Sequence, residues 1–223
     1  MIPVLGVAAL HEQAHLDRML ESVDRPVADL VFVDNSKGGL TLPDLPTVER
    51  VWHLRMPSNL GVATSWNLIV KSTPFAPWWM IVNADVWFEP GALERLAVPD
   101  RGIVTRPHPF SHCSAFVLTE ATVADFGLFD EYFHPIYFED TDYLTRLEHA
   151  GEPIHRTFHG VVDPDKGGSQ ALRHFRNKAA IRAKAAQNAN GDYYREQHAG
   201  DPLPQRGWDL DRRRLHDIDG IRP

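Results

Sequence analysis

Residues 2–9 carry no polar side chain. A strand without polar/apolar alternation must be covered on both faces, so this run demands a sheet buried between two layers of helix. The segments that follow meet the demand. Leu16, Met19, Leu20 and Val23 recur at helical spacing, residues 29–34 form a second short strand closed by the turn 35–39, and residues 48–54 suit a third. Residues 61–72 set Val62, Trp66, Ile69 and Val70 on one helical face, and residues 78–82 make a fourth strand. Pro90 suits the first turn of a short helix carrying Leu93 and Leu96. This order and spacing predict an α/β fold with a mostly parallel sheet flanked by helices.

The second half is less regular. Residues 113–118 read as a strand, 125–135 as an aromatic-rich loop, and 139–150 as a helix with Gly151 at its C-cap. Residues 170–190 carry the strongest helical pattern, with Leu172, Phe175, Ala179, Ala183 and Ala186 on one face. The 223 residues suit one domain over 1–200 followed by a C-terminal tail, 201–223. A net charge of −7 argues against a nonspecific nucleic-acid surface. No apolar run approaches the roughly 18–20 residues that span a bilayer. A single cysteine, Cys113, rules out an intramolecular disulfide and fits a reducing compartment. A cytoplasmic protein is the expectation.

Open α/β sheets bind ligands beyond the carboxyl ends of their strands, so polar residues at those ends are the candidates. Asp34 can accept hydrogen bonds from a base or ribose, or simply bond its own turn. Asn59 stands where a helix N-cap would, and Gly61 allows close approach of backbone to a ligand. A helix N-terminus there favours a diphosphate, although a well-capped helix explains the same residues. Asn83-Ala84-Asp85 ends the fourth strand. A divalent cation bridging two phosphates leaves several positions to water and substrate, so the Asp85 carboxylate can suffice. Glu139, Asp140 and Asp142 place three acids in four residues at a helix start. The helix macrodipole favours them there, and an acid among like charges, shielded by Tyr137 and Phe138, can become a general base. Of 12 histidines, His159 and its competitor His155 lie near the polar loop 163–169. Arg173, Arg176, Lys178, Arg182 and Lys184 make the next helix basic, either as a solvated face or as part of a diphosphate site.

In order, these pieces resemble the inverting family-2 glycosyltransferases of GT-A fold, in particular the rhamnosyltransferase-like branch. The carriers are Asp34-Asn35-Ser36; Asn59, Gly61, Val62, Ala63 and Asn67; Asn83-Ala84-Asp85 in place of Asp-x-Asp; Cys113-Ser114-Ala115-Phe116; Gly127 to Glu131; Tyr137 to Tyr143 with Arg146; His159 with Gly167-Gly168-Ser169; and Tyr193-Tyr194-Arg195. The likeness covers residues 2–200. Two departures are Asn83 for the first aspartate and Gln197-His198-Ala199-Gly200 for a Lys-Trp-Gly ending.

The resemblance implies a metal-dependent transfer of a sugar from a UDP- or dTDP-linked donor to an acceptor hydroxyl. It implies Mn²⁺ or Mg²⁺ held by Asp85 and His159, Asp140 as general base, and donor contacts from Ala8, Leu10, Glu12, Asp34, Asn59, Gly61, Asn67, Asn83, Ala84, Ser114 and Glu139. The acceptor stays unknown and a homodimer stays open. Two other classes remain: a nucleotidyltransferase, disfavoured because Ala8-Ala9-Leu10-His11-Glu12 lacks a Gly-rich basic loop, and a catalytically weakened nucleotide-sugar- or carbohydrate-binding relative, which Asn83 makes conceivable.

Overall fold

A computed structural model describes residues 1–11, 13–107, 112–163 and 178–198. Four parallel strands come first: β1 (Ile2–Ala9), β2 (Val27–Asp34), β3 (Val48–Arg55) and β4 (Trp78–Asn83). A short β5 (Trp87–Phe88) leaves the sheet, followed by β6 (Ile103–Thr105), β7 (Ala115–Thr119), β8 (Ile154–His155) and β9 (Val161–Val162). The seven-stranded sheet has the order β3-β2-β1-β4-β7-β6-β8, while β5 pairs with β9. β7 runs antiparallel to both β4 and β6. The sheet is therefore mostly parallel, with one reversed strand at its centre.

The helices are α1 (Gln13–Glu21), α2 (Val62–Ser72), α3 (Glu120–Phe126), α4 (Glu139–Ala150) and α5 (Lys178–His198). The unalternating first strand is explained by its two neighbours. Leu5 and Val7 face a core containing Leu16, Met19, Phe32 and Phe158, while Val4 faces another containing Trp66, Ile69, Phe116 and Tyr143. Each fully buried side chain of this size contributes about 1.5–3 kcal/mol. Gly6 is required by packing: a Cβ there would lie 2.4 Å from Ile69 Cγ2, so its absence lets α2 settle onto β1.

Two expectations are corrected, and one helix was not foreseen. Residues 90–95 make turns instead of a helix, with Gly91 at φ +72° and its N–H donated to Asp24 Oδ2 at 2.8 Å. Residues 120–126, without strong periodicity, form α3 because the Thr119 side chain caps Thr122 N–H and Gly127 at φ +72° stops the helix. The strand expected from Cys113 starts at Ala115, after a 3-10 turn over His112–Ser114. Residues 170–177 and 201–223 lie outside the described residues, but α5 continues past Asn190 to His198.

Asn67 on α2 fixes the connection to α4. Its Nδ2 donates to Phe129 O at 2.8 Å and Glu131 Oε1 at 2.9 Å, while its Oδ1 accepts from Phe129 N–H at 2.9 Å. Asn67→Ala strands buried backbone groups and is expected to cost about 2–4 kcal/mol. The urea unfolding midpoint reads this loss, and an unchanged midpoint would refute the clamp.

Candidate active site

The parallel strands end together. Ala8 pairs with Val33 and Asn83, Ala9 with Asp34, and Asp34 with Arg55. On the far side of β4, Val82 pairs with Ala115, so Ser114 and Cys113 enter the same edge beside Asn83 and Ala84. Tyr143 of α4 packs in the same core cluster as Cys113. Burial pushes the Cys113 thiol up, and the Asp140 and Glu139 carboxylates push it further.

The individual residues divide into exposed groups and structural ones. Asp34 is fully buried; Ser36 donates to it through both N–H and hydroxyl, and His53 Nε2 lies 3.3 Å away. Burial alone would raise its carboxyl, but these bonds outweigh that and hold it below the usual range. Asn59 is exposed and does not cap α2. Its Oδ1 accepts Gly61 N–H at 2.9 Å, and Gly61 itself, at φ +82°, is the N-cap. A Cβ on Gly61 would meet Pro135 O and His134 Cδ2 at 2.9 Å, so this glycine is needed by the loop stacked on it. Asn67 is fully buried, so its influence on a ligand would pass through the loop it clamps. Ala8 and Asn83 are partly exposed, Leu10 exposed and Ala84 buried, whereas Glu12 lies outside the described residues.

The three acids of α4 have different surroundings. Glu139 is buried and its Oε2 has no hydrogen-bond partner. Burial, then the Asp140 charge, raise its carboxyl well above the ordinary value against opposing backbone N–H groups. Asp142 accepts from Arg146 Nε at 2.8 Å, and His198 Nε2 lies 3.0 Å from its other oxygen. Burial pushes the Arg146 guanidinium down to about 10, although Asp142 resists. Asp140 is partly exposed, its Oδ1 accepting Thr141 N–H at 2.7 Å.

The β5–β9 pair sets the place of His159. Phe88 pairs with Val161 and Glu89 N–H donates to Gly160 O, which sets exposed His159 beside Pro90. Pro90 is five residues beyond Asp85 in sequence. Among the described residues no group of three or more His, Cys, Asp or Glu could hold a metal ion. Asp85, partly exposed on the turn after β4, fits an ion whose remaining ligands are phosphate and water, not a closed protein cage.

Sequence reasoning overlooked Arg106 and the specific role of Asp163. Arg106 Nη1 donates to Ser114 Oγ at 2.6 Å and to Asp163 Oδ2 at 2.9 Å, and both charged side chains are nearly buried. The available signal was an arginine directly after a short apolar strand. An open groove of 710 Å³ lined by Phe75, Trp78, Val98 and Glu120 lies at the opposite end of the sheet, where Trp78 begins β4.

No protein-family model matches this chain, and no curated protein matches it in sequence. Solved structures do match. The mannosyltransferase PcManGT from Pyrobaculum calidifontis, in complex with GDP-Man and Mn²⁺, aligns over 99% of this chain and 87% of its own, with TM-score 0.53 and 15% identity. TarS 1-349 from S. aureus, in complex with UDP, aligns over 66% of this chain with TM-score 0.50 and 14% identity, and the chain spans 54% of that structure. The fold is the GT-A-like α/β fold of these glycosyltransferases.

The buried Glu139 gives a signed pH dependence. The folded chain retains a proton that the unfolded chain releases above the ordinary value of 4.5, so stability is lost as pH rises past that point toward the raised folded value. Glu139→Gln should gain stability relative to wild type as pH rises above 4.5, and the two should converge at lower pH. Urea midpoints across that range decide it; a gap that fails to widen with pH contradicts the assignment.

Proposed function

We propose that this chain is an inverting glycosyltransferase that moves a sugar from a nucleoside-diphosphate donor to an acceptor hydroxyl, as in the family-2, rhamnosyltransferase-like enzymes its motifs resemble. What supports the reading is that Asn83 and Ala84, at the end of β4, lie opposite Ser114 and Cys113, while α4 packs on Cys113 through Tyr143 and leaves Asp140 the partly exposed acid of its first turn. PcManGT with GDP-Man and Mn²⁺, and TarS with UDP, support a nucleotide-sugar donor.

In this reading Asp34 and its turn border the nucleotide. Asp85 would hold the divalent ion, which when bound neutralises charge on the departing diphosphate. Asp140 accepts the proton of the acceptor hydroxyl as that oxygen bonds to the anomeric carbon. The carbon–oxygen bond to the diphosphate breaks, its electron pair leaves with the nucleotide, and the configuration inverts through an oxocarbenium-like state. Ser114 and the loop before α4 would border the acceptor.

Asp140→Asn is expected to retain donor binding and lose transfer by roughly 10²–10⁴-fold. Asp85→Asn is expected to lose the extra thermal stabilisation that Mn²⁺ adds to UDP or GDP binding. Thermal shifts with UDP- and GDP-sugars, with and without Mn²⁺, together with donor hydrolysis rates, test both. Wild-type turnover by Asp140→Asn would remove the base assignment. Failure of every nucleotide to raise the melting temperature would remove the donor class.

A further inference from the structure

β3 is the outermost strand of the large sheet, eight residues long, and no strand lies beyond it among the described residues. Val51 is 49% and Trp52 46% exposed. A long edge strand carrying apolar side chains is a template for pairing with another chain unless charge blunts it. Here part of that protection is cancelled. Asp29 takes Arg50 in two hydrogen bonds, at 2.8 and 2.6 Å, and also accepts Trp52 Nε1–H at 2.8 Å. The indole is thereby held on the surface by its neighbour on β2.

We propose that β3 is an interface for a second copy of this chain, the two strands pairing antiparallel about a two-fold axis normal to the sheet. This inference is independent of the transfer reaction. Such a contact is isologous, so one register must satisfy both copies. Directly opposed residues share a face of the sheet, and this axis keeps each face on its own side. The axis therefore passes through a residue, not between two.

Three centres lie near these two apolar residues. Centring on Val51 opposes Glu49 to His53 of the partner subunit and Arg50 to Trp52 of the partner subunit. Centring on His53 opposes Val51 to Arg55 of the partner subunit and Glu49 to Pro57 of the partner subunit. Centring on Trp52 brings the two indoles together and sets exposed Glu49 against Arg55 of the partner subunit, once on each side of the axis. Charge complementarity selects this last register.

Sedimentation velocity over a dilution series of the full chain tests the proposal. The wild type is expected to sediment as a dimer that dissociates on dilution. Glu49→Arg should weaken the dimer by roughly tenfold or more, because each of two cross-strand pairs becomes repulsive. Adding Arg55→Glu to Glu49→Arg should restore it, a recovery that a folding defect would not give. A monomer at every concentration, or a dimer indifferent to both variants, overturns the inference.

Discussion

The position of the acids opening α4 depends on one buried amide. Asn67 uses both ends of its side chain on the backbone at Phe129, and Glu131 completes the clamp. Because α2 is pressed against β1 over Gly6, that clamp refers the connecting loop to the sheet itself. Downstream, Val62 N–H donates to Pro135 O, and Asn190 on α5 donates to the carbonyls of Ile136 and Tyr137. Tyr193 O–H bonds Asp130 from the same helix. The loop is held from α2 on one side and α5 on the other. Such two-sided support lets Tyr137 and Phe138 sit at φ +81° and +73°, which side chains rarely adopt, immediately before α4.

Successive residues on a helix are about 100° apart, and this separates the three acids. Asp142 and Arg146 share a face at i, i+4 and turn inward, where the guanidinium also donates to the carbonyls of Phe126 and Leu128. Asp142 therefore serves the packing of α4, and through His198 the end of α5. Glu139 turns into the protein without a partner for Oε2, so its neutral form is favoured there. Asp140 points about 100° from Glu139 and about 160° from Asp142, away from both, and keeps contact with solvent.

The sheet was legible because its central strands are buried on both faces, and two-sided burial writes itself into sequence as unbroken apolar runs. The start and stop of α4 were legible from acids and a glycine, and Gly151 takes the left-handed C-cap position at φ +72°. The fates of Asn67 and Asn59 were not. An asparagine that clamps a distant loop has the same letter as one that meets a ligand, and only tertiary contacts separate them. His159 stood out because the polar loop 163–169 follows it in sequence, whereas the β5–β9 register, which sets it beside Pro90, is a tertiary pairing that sequence does not reveal. Arg106 escaped notice because its partners, Ser114 and Asp163, are 8 and 57 residues distant.

Charge at the edge bears on why a cation would be needed there. A donor diphosphate is anionic, and Asp85 and Asp140 add carboxylates where it would sit. The remaining acids contribute less: Asp163 is neutralised by Arg106, Asp34 lies against His53, and burial favours protonated Glu139. Asn83 removes one more negative charge from a position where the resembled motif carries aspartate. A closed cage of several carboxylates would hold an ion permanently. One carboxylate in a neighbourhood trimmed of charge would hold it chiefly through the phosphates it shares. The ion and the donor would then arrive and leave as one unit, which couples the affinity of each to the presence of the other.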